Sequence, residues 1–164
     1  MALIDDPKTL PALLMRGQKM LGLDLGTKTI GLAMSDTNWQ IATALETIQR
    51  RKFSLDVAYL DALIIREKIG ALVVGLPYNM DGSEGPRAQA TRAFIRNYFA
   101  RPHTKEHPPT HTIPAILWDE RLSTKAVERT LIEADMSRAK RAKLIDKLAA
   151  SYILQGYLDF LGNL

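Results

Sequence analysis

Three short apolar runs open the patterned part of the chain, and the segments joining them are too short for anything but hairpins. Lys19-Met-Leu-Gly-Leu-Asp-Leu25 is followed by Gly-Thr-Lys-Thr and then by Ile30-Gly-Leu-Ala-Met-Ser-Asp36, with Ala42 to Ile48 as a weaker third run. A parallel return needs a dozen or more residues, so these strands must form an antiparallel meander. After Ile48 the rhythm changes. Leu55, Tyr59, Leu60, Leu63, Ile64 and Glu67 follow helical spacing, with Gly70 expected as the stop. Ala71-Leu-Val-Val-Gly75 is apolar on both sides, the pattern of a central parallel strand covered on both faces. A turn-rich loop from Pro77 to Pro86 leads to a second expected helix, Arg87 to Tyr98. A fifth strand is expected from Ile113 to Trp118, a helix from Ser123 to Ala134 capped by Ser123 or Thr124, and a last helix from Ala139 to Phe160. Three meandering strands followed by helix–strand–helix–strand–helix make a mixed α/β sheet flanked by helices.

The chain has 164 residues, enough for one domain with a real core and too few for two of ordinary size. Residues 1–18 carry two prolines and no sustained periodicity and are expected to be a flexible arm, leaving 19–164 as a single domain. The absence of cysteine excludes disulfides, thiolate catalysis and Cys-based zinc sites. No apolar run reaches the roughly 18–20 residues of a membrane span, and the start Met-Ala-Leu-Ile-Asp-Asp is acidic where a signal peptide is basic. A cytoplasmic protein without membrane attachment is expected. Lysine and arginine number 22 against 18 acidic residues. That excess suits a polyanionic partner without requiring one.

Three acidic residues stand where a carboxylate needs a reason. Alternation puts Met20, Gly22 and Asp24 on one face of the first strand, opposite Leu21, Leu23 and Leu25. A carboxylate inside such a strand is costly to bury unless paired or bound to a cation; the bland reading is an Asp that starts the turn at Gly26. Asp119-Glu120-Arg121 follows the fifth strand directly, and sites of open α/β sheets gather beyond strand carboxyl ends. The competing reading there is a loop of solvated charges. Asp146 borders the apolar stripe of the last helix, or else pairs with Lys143 or Lys147 on an exposed face. Three carboxylates on three elements suit one or two Mg²⁺ or Mn²⁺ ions, and hydrolysis of a phosphodiester is the reaction that most often uses them. A chain with 18 acids contains many such triples, so the count alone decides nothing.

Four ordered motifs carry more. Leu23-Asp-Leu-Gly-Thr-Lys-Thr-Ile-Gly-Leu-Ala-Met-Ser-Asp36, Val73-Val-Gly-Leu-Pro-Tyr-Asn-Met-Asp-Gly-Ser-Glu-Gly-Pro86, Trp118-Asp-Glu-Arg-Leu-Ser-Thr124 and Asp146-Lys-Leu-Ala-Ala150 with Ile153-Leu-Gln155 resemble the YqgF-type family, the pre-16S rRNA nucleases also described as Holliday junction resolvase-like. The likeness runs from about Met20 to Leu158. It implies an RNase H-like fold: a five-stranded mixed sheet of three antiparallel and two parallel strands, flanked by helices. It also implies a metal-dependent nuclease whose catalytic and metal-holding residues are Asp24, Glu120 and Asp146, with Mg²⁺ or Mn²⁺ as cofactor. Lys28, Asn79, Ser83, Arg87 and Arg121 become candidate substrate contacts, with Arg121 steadying Glu120 or a phosphate. Glycines 22 and 26 are expected to leave room for backbone and metal near Asp24. Precursor rRNA is the substrate the likeness favours over branched DNA, and a monomer or a homodimer fits, the dimer being what a junction resolvase needs. Departures are small: Ser123 replaces a common threonine, the Arg101–His111 loop is long, and Lys143 and Ala149 leave no second acid near Asp146.

Other features are weaker. Arg87, Arg92 and Arg96, and the run Arg138, Lys140, Arg141, Lys143 and Lys147, are either solvated helix faces or a track for phosphates. His103, His107 and His111 fall four apart, but Pro102, Pro108 and Pro109 forbid the helix that makes such spacing a zinc face. The loop at Asn79-Met-Asp81-Gly82 is no calcium loop, because its first ligand position falls on Pro77. Two further function classes compete: an actin-like ATPase or sugar kinase, which needs a second such domain, and a non-catalytic RNA-binding module of ribosome assembly.

Overall fold

The computed structural model describes residues 3–102, 112–121 and 137–164, and of Asp146 the backbone alone. In chain order these are β1 (Lys19–Leu25), β2 (Thr29–Ser35), β3 (Ala42–Gln49), α1 (Phe53–Arg66), β4 (Ile69–Leu76), α2 (Pro86–Phe99), β5 (Ala115–Asp119) and α3 (Arg138–Gly162), preceded by a 3₁₀ turn at Leu10–Leu13. The helix expected at 123–134 and the histidines 103, 107 and 111 lie outside the described residues.

The five strands form one sheet in the order β3-β2-β1-β4-β5. β1, β2 and β3 pair antiparallel, as their short connections demand, while β1–β4 and β4–β5 are parallel. This is the RNase H-like arrangement. β1 is its centre, with the meander on one side and the crossover strands on the other.

Two expected boundaries move. α1 gives way at Glu67, and Lys68 takes the left-handed conformation (φ 54°) that usually falls to glycine at a helix end; Gly70 lies inside β4 instead. β5 begins two residues later than expected, at Ala115. Pro114 has no N–H for a ladder, although its carbonyl still accepts from the Leu72 amide at 2.9 Å.

Strand alternation produces two apolar layers. Leu21, Leu23, Leu25, Leu72 and Val74 face α1 and α2, packing on Leu60, Leu63, Phe94 and Tyr98. Met20, Ala71, Val73 and Ile116 face α3, packing on Ile153, Leu154 and Tyr157. Burying each large side chain contributes about 1.5–3 kcal/mol. α3 comes unusually close to β1: a Cβ on Gly22 would stand 2.8 Å from Leu154 Cβ and 2.9 Å from the Ala150 carbonyl oxygen. The space at Gly22 therefore belongs to the helix, not to a metal.

Residues 3–14 are tied to this domain. Ile4 N–H donates to the Ala115 carbonyl at 2.8 Å, the Tyr157 hydroxyl donates to the Pro7 carbonyl at 2.6 Å, and Leu10 is fully buried in the α3 layer. On the opposite side a buried ion pair joins α1 to the residues after α2. The Arg101 guanidinium binds Asp61 at 2.7 and 2.9 Å and lies over the Tyr98 ring, whose hydroxyl donates to the same carboxylate.

Candidate active site

Asp24 stands next to last in β1, opposite Gly31 of β2. On its other side runs β4, where Leu23 pairs with Val74, so Gly75 is Asp24's neighbour in register. β5 lies beyond β4, with Leu76 opposite Asp119, and the Glu120 amide donates to the Leu76 carbonyl at 3.2 Å. Alternation puts Asp24, Gly75 and Glu120 on the α3 face of the sheet, beside Met20, Val73 and Ile116 of the α3 layer. Asp24 and Glu120 are thus two strands apart. They meet because the position between them is glycine: a Cβ there would stand 2.5 Å from Glu120 Oε1 and 2.5 Å from Ile153 Cδ1. Glu120 lies across the bare backbone of β4 and shares a hydrogen bond with Asp24.

Burial pushes the Glu120 carboxyl up to about 7, and the charge of Asp24 adds to the rise; the Arg87 guanidinium works the other way. Two carboxylates this close cannot both ionise cheaply without a compensating charge, and the pair keeps a proton towards neutrality. Next door the balance is reversed. Burial raises Asp119, but the side chain and amide of Arg121 outweigh it and hold that carboxyl below its ordinary value. The Arg121 guanidinium grips Asp119 through Nε (3.1 and 3.0 Å) and Nη2 (2.7 Å) and stacks at 5.2 Å over the Tyr78 ring. Its described contacts are therefore to Asp119 and Tyr78 and not to Glu120.

The other expected contacts are spread around this centre. Lys28 is exposed in the β1–β2 turn, and Arg87 is exposed in the first turn of α2. Asn79 and Ser83 bond to each other: Asn79 Nδ2 donates to Ser83 Oγ at 3.0 Å, and Asp81 accepts from the Ser83 amide at 2.9 Å. They form a self-satisfied turn at the sheet's carboxyl edge. Asp146 lies on α3, one turn before Ala150, and its side chain is outside the described residues. A Cβ built on Gly31 would meet Asp24 Cβ at 3.4 Å and Ala150 Cβ at 3.6 Å, so Asp24 and Ala150 converge on one point. Among the described residues no group of three metal-ligating side chains occurs. Between the meander and α3 runs an open groove of about 430 Å³ lined by Thr29, Thr47, Lys143 and Lys147.

Gly75 is the residue that reading the sequence missed. Its signal was there, since glycine inside an apolar strand often marks close approach of another group.

A family described as "RuvX: Holliday junction resolvase" matches residues 18–160. The chain is similar to a protein of Methylocella silvestris named "Putative pre-16S rRNA nuclease", 56% identical over 92% of this chain and 88% of that one. A Roseobacter denitrificans protein of the same name is 52% identical, covering 96% and 92%. Among solved structures, "T. thermophilus RuvC in complex with Holliday junction substrate" superposes with a TM-score of 0.49 at 13% identity, over 88% of this chain and 96% of that chain.

Proposed function

We propose, from the premise that this chain belongs to the RuvX family of Holliday junction resolvases, that it is a hydrolase of phosphodiester bonds, a metal-dependent nuclease acting on precursor 16S rRNA. The observation that carries the reading is the meeting of Asp24 and Glu120 across Gly75. Nothing in packing requires two carboxylates to share a partly buried place, and a cation gives the arrangement a purpose.

The donor set fits a hard divalent ion. It consists of carboxylate oxygen, which suits Mg²⁺ or Mn²⁺. Asp24 and Glu120 would hold it, with Asp146 as the third ligand because its helix passes over Asp24 at Ala150. Bound there, the cation supplies Lewis-acid polarisation of the phosphate and a more acidic water. The chain's own residues do the rest. Arg87 favours ionised Glu120 and so favours the metal-holding state. Arg121 fixes Asp119 and with it the backbone that aims Glu120. Lys28, Arg87, Arg121, Asn79 and Ser83 are the proposed contacts to the strand being cut. Lys143 and Lys147 offer a second basic wall along the groove beside the meander. Such contacts offset the repulsion between acidic centre and polyanion and make binding salt-dependent.

The name shared by the relatives supports RNA as substrate. The family description favours a second reading, cleavage of four-way DNA junctions, which calls for a homodimer so that two strands are cut symmetrically. A monomer suffices for RNA. Among the described residues no helix is long and apolar enough to cross a membrane, and a cytoplasmic role in ribosome biogenesis accords with the RNA reading.

The test is cleavage of labelled precursor 16S rRNA ends and of a four-way DNA junction, with Mg²⁺ or Mn²⁺ and with chelator. Metal-dependent cutting of the RNA that disappears in Asp24→Asn is the expected result. Cutting of the junction alone selects the resolvase reading. RNA binding without cutting, unchanged by Asp24→Asn, selects the non-catalytic assembly module.

A further inference from the structure

Round the carboxyl edge of the sheet from the acid pair lies a pocket of about 260 Å³, lined by Leu25, Gly26, Arg50, Arg87, Ala90 and Phe94. Two guanidiniums share it, and among the described residues neither has a carboxylate at ion-pair distance. That sets them apart from Arg92, Arg101 and Arg121, which bind Glu84, Asp61 and Asp119. Two like charges around one cavity repel, and an anion between them relieves the repulsion.

Arg50 is not a loose surface side chain. Its backbone amide donates to the Lys28 carbonyl at 2.8 Å, its Nη1 donates to the Gly26 carbonyl at 2.8 Å, and its guanidinium lies 5.5 Å from the centre of the Phe94 ring. Phe94 is itself fixed by an edge-on contact with Phe53. These contacts hold the guanidinium in place and use one of its five N–H donors. Leu25, Ala90 and Phe94 supply apolar walls, which strengthen a charge-assisted hydrogen bond. The pocket is also close to the acid pair: Gly26 follows Asp24 by two residues, and Arg87 acts electrostatically on Glu120. Its volume is below the roughly 300 Å³ at which small-molecule sites begin, a size suited to one phosphodiester unit rather than a whole free nucleotide.

We infer that Arg50, with Arg87, seats a backbone phosphate of the nucleic-acid strand beside the scissile one, the sugar lying on the apolar wall. The inference rests on the nuclease reading for its substrate class. It assigns to Arg50 the task of fixing the strand's register over Asp24 and Glu120.

The experiment measures binding and not cutting. Full-length protein in chelator is titrated with labelled single-stranded RNA and with a four-way DNA junction across a salt series, using wild type, Arg50→Gln, Arg50→Lys, Arg87→Gln and Arg96→Gln. Arg96 lines a separate groove with Leu3 and Phe99 and serves as control. Melting temperatures confirm that each variant is folded. The expected result is that Arg50→Gln and Arg87→Gln each weaken binding several-fold at low salt. Each also flattens the plot of log affinity against log salt for single-stranded RNA, and the two together remove about 0.7, the worth of the one phosphate they share. Arg50→Lys keeps most of the slope and Arg96→Gln keeps all of it. A slope unchanged in folded Arg50→Gln overturns the inference, whether or not the wild type cuts. Inorganic phosphate that binds through Arg50 while the strand slope stays put makes this a free-anion site and overturns it too. An Arg50-dependent slope in a protein that never cuts supports the pocket and sinks the nuclease reading alone.

Discussion

Glu120 reaches Asp24 over Gly75, its Oε1 lying 2.5 Å from where a Cβ on that residue would stand, with Ile153 Cδ1 equally close. A methyl group at position 75 must therefore displace either the carboxylate or the helix. Gly75→Ala is expected to cost about 1–3 kcal/mol, the usual penalty for overpacking, and to lower cleavage far more than it lowers the melting temperature. Thermal unfolding and cleavage rates of the same preparation check this. A variant that cuts at the wild-type rate would show that Glu120 is not needed where it lies.

The second prediction concerns pH. In the metal-free protein the Glu120 carboxyl sits at about 7, above its ordinary 4.5. A folded-state pKa raised in this way gives stability that is fully present below pH 4.5 and is lost as pH rises through 7. Glu120→Gln, which cannot ionise, escapes that loss. Melting curves in chelator should nearly coincide at pH 5 and separate at pH 8, with the variant the more stable. Coincidence at pH 8 would rule out the shift.

Arg101 and Asp61 test the other side of the sheet. Both side chains are more than nine-tenths buried, 8% and 7% exposed. Removing one partner leaves a buried charge alone, so Arg101→Met is expected to cost about 3–5 kcal/mol. Replacing both, as Asp61→Leu with Arg101→Met, should cost less than the sum of the singles. Urea denaturation of the three variants measures the coupling, and strict additivity would refute it.

Leu10 has no solvent exposure at all. Leu10→Ala is expected to cost about 2–5 kcal/mol, as a truncation in a packed core does. A midpoint shift in urea with unchanged slope is the signature. No shift would show that Leu10 is not held in the core.

Much of the sheet was readable from connection lengths and apolar runs, because strand direction follows from how much chain separates two strands. β1 matches its expected span to the residue. Helix ends were less readable: Lys68 in a left-handed conformation hid behind Gly70, the residue whose type advertises a stop. The packing of Leu10 gave no periodic signal, since a single anchoring side chain makes no pattern. At the candidate site, Asp24 and Glu120 were named from their places at strand ends and from the family motifs. How they meet was not legible, because contact across two strands depends on register, and register is a property of the whole sheet. Arg50 had no signal of any kind. It lies at a strand's end among other basic residues, and only folding sets it beside Arg87.

The order of the strands also fixes when the site can exist. β4 lies between β1 and β5, so Asp24, made early in synthesis, meets Glu120 only once β4 has inserted and β5 has docked beyond it. α3, made last, then closes over Gly22 and Gly75. An unfinished chain therefore lacks the arrangement that brings Asp24 and Glu120 together. On the nuclease reading proposed above, competence to cut arrives only with the last helix.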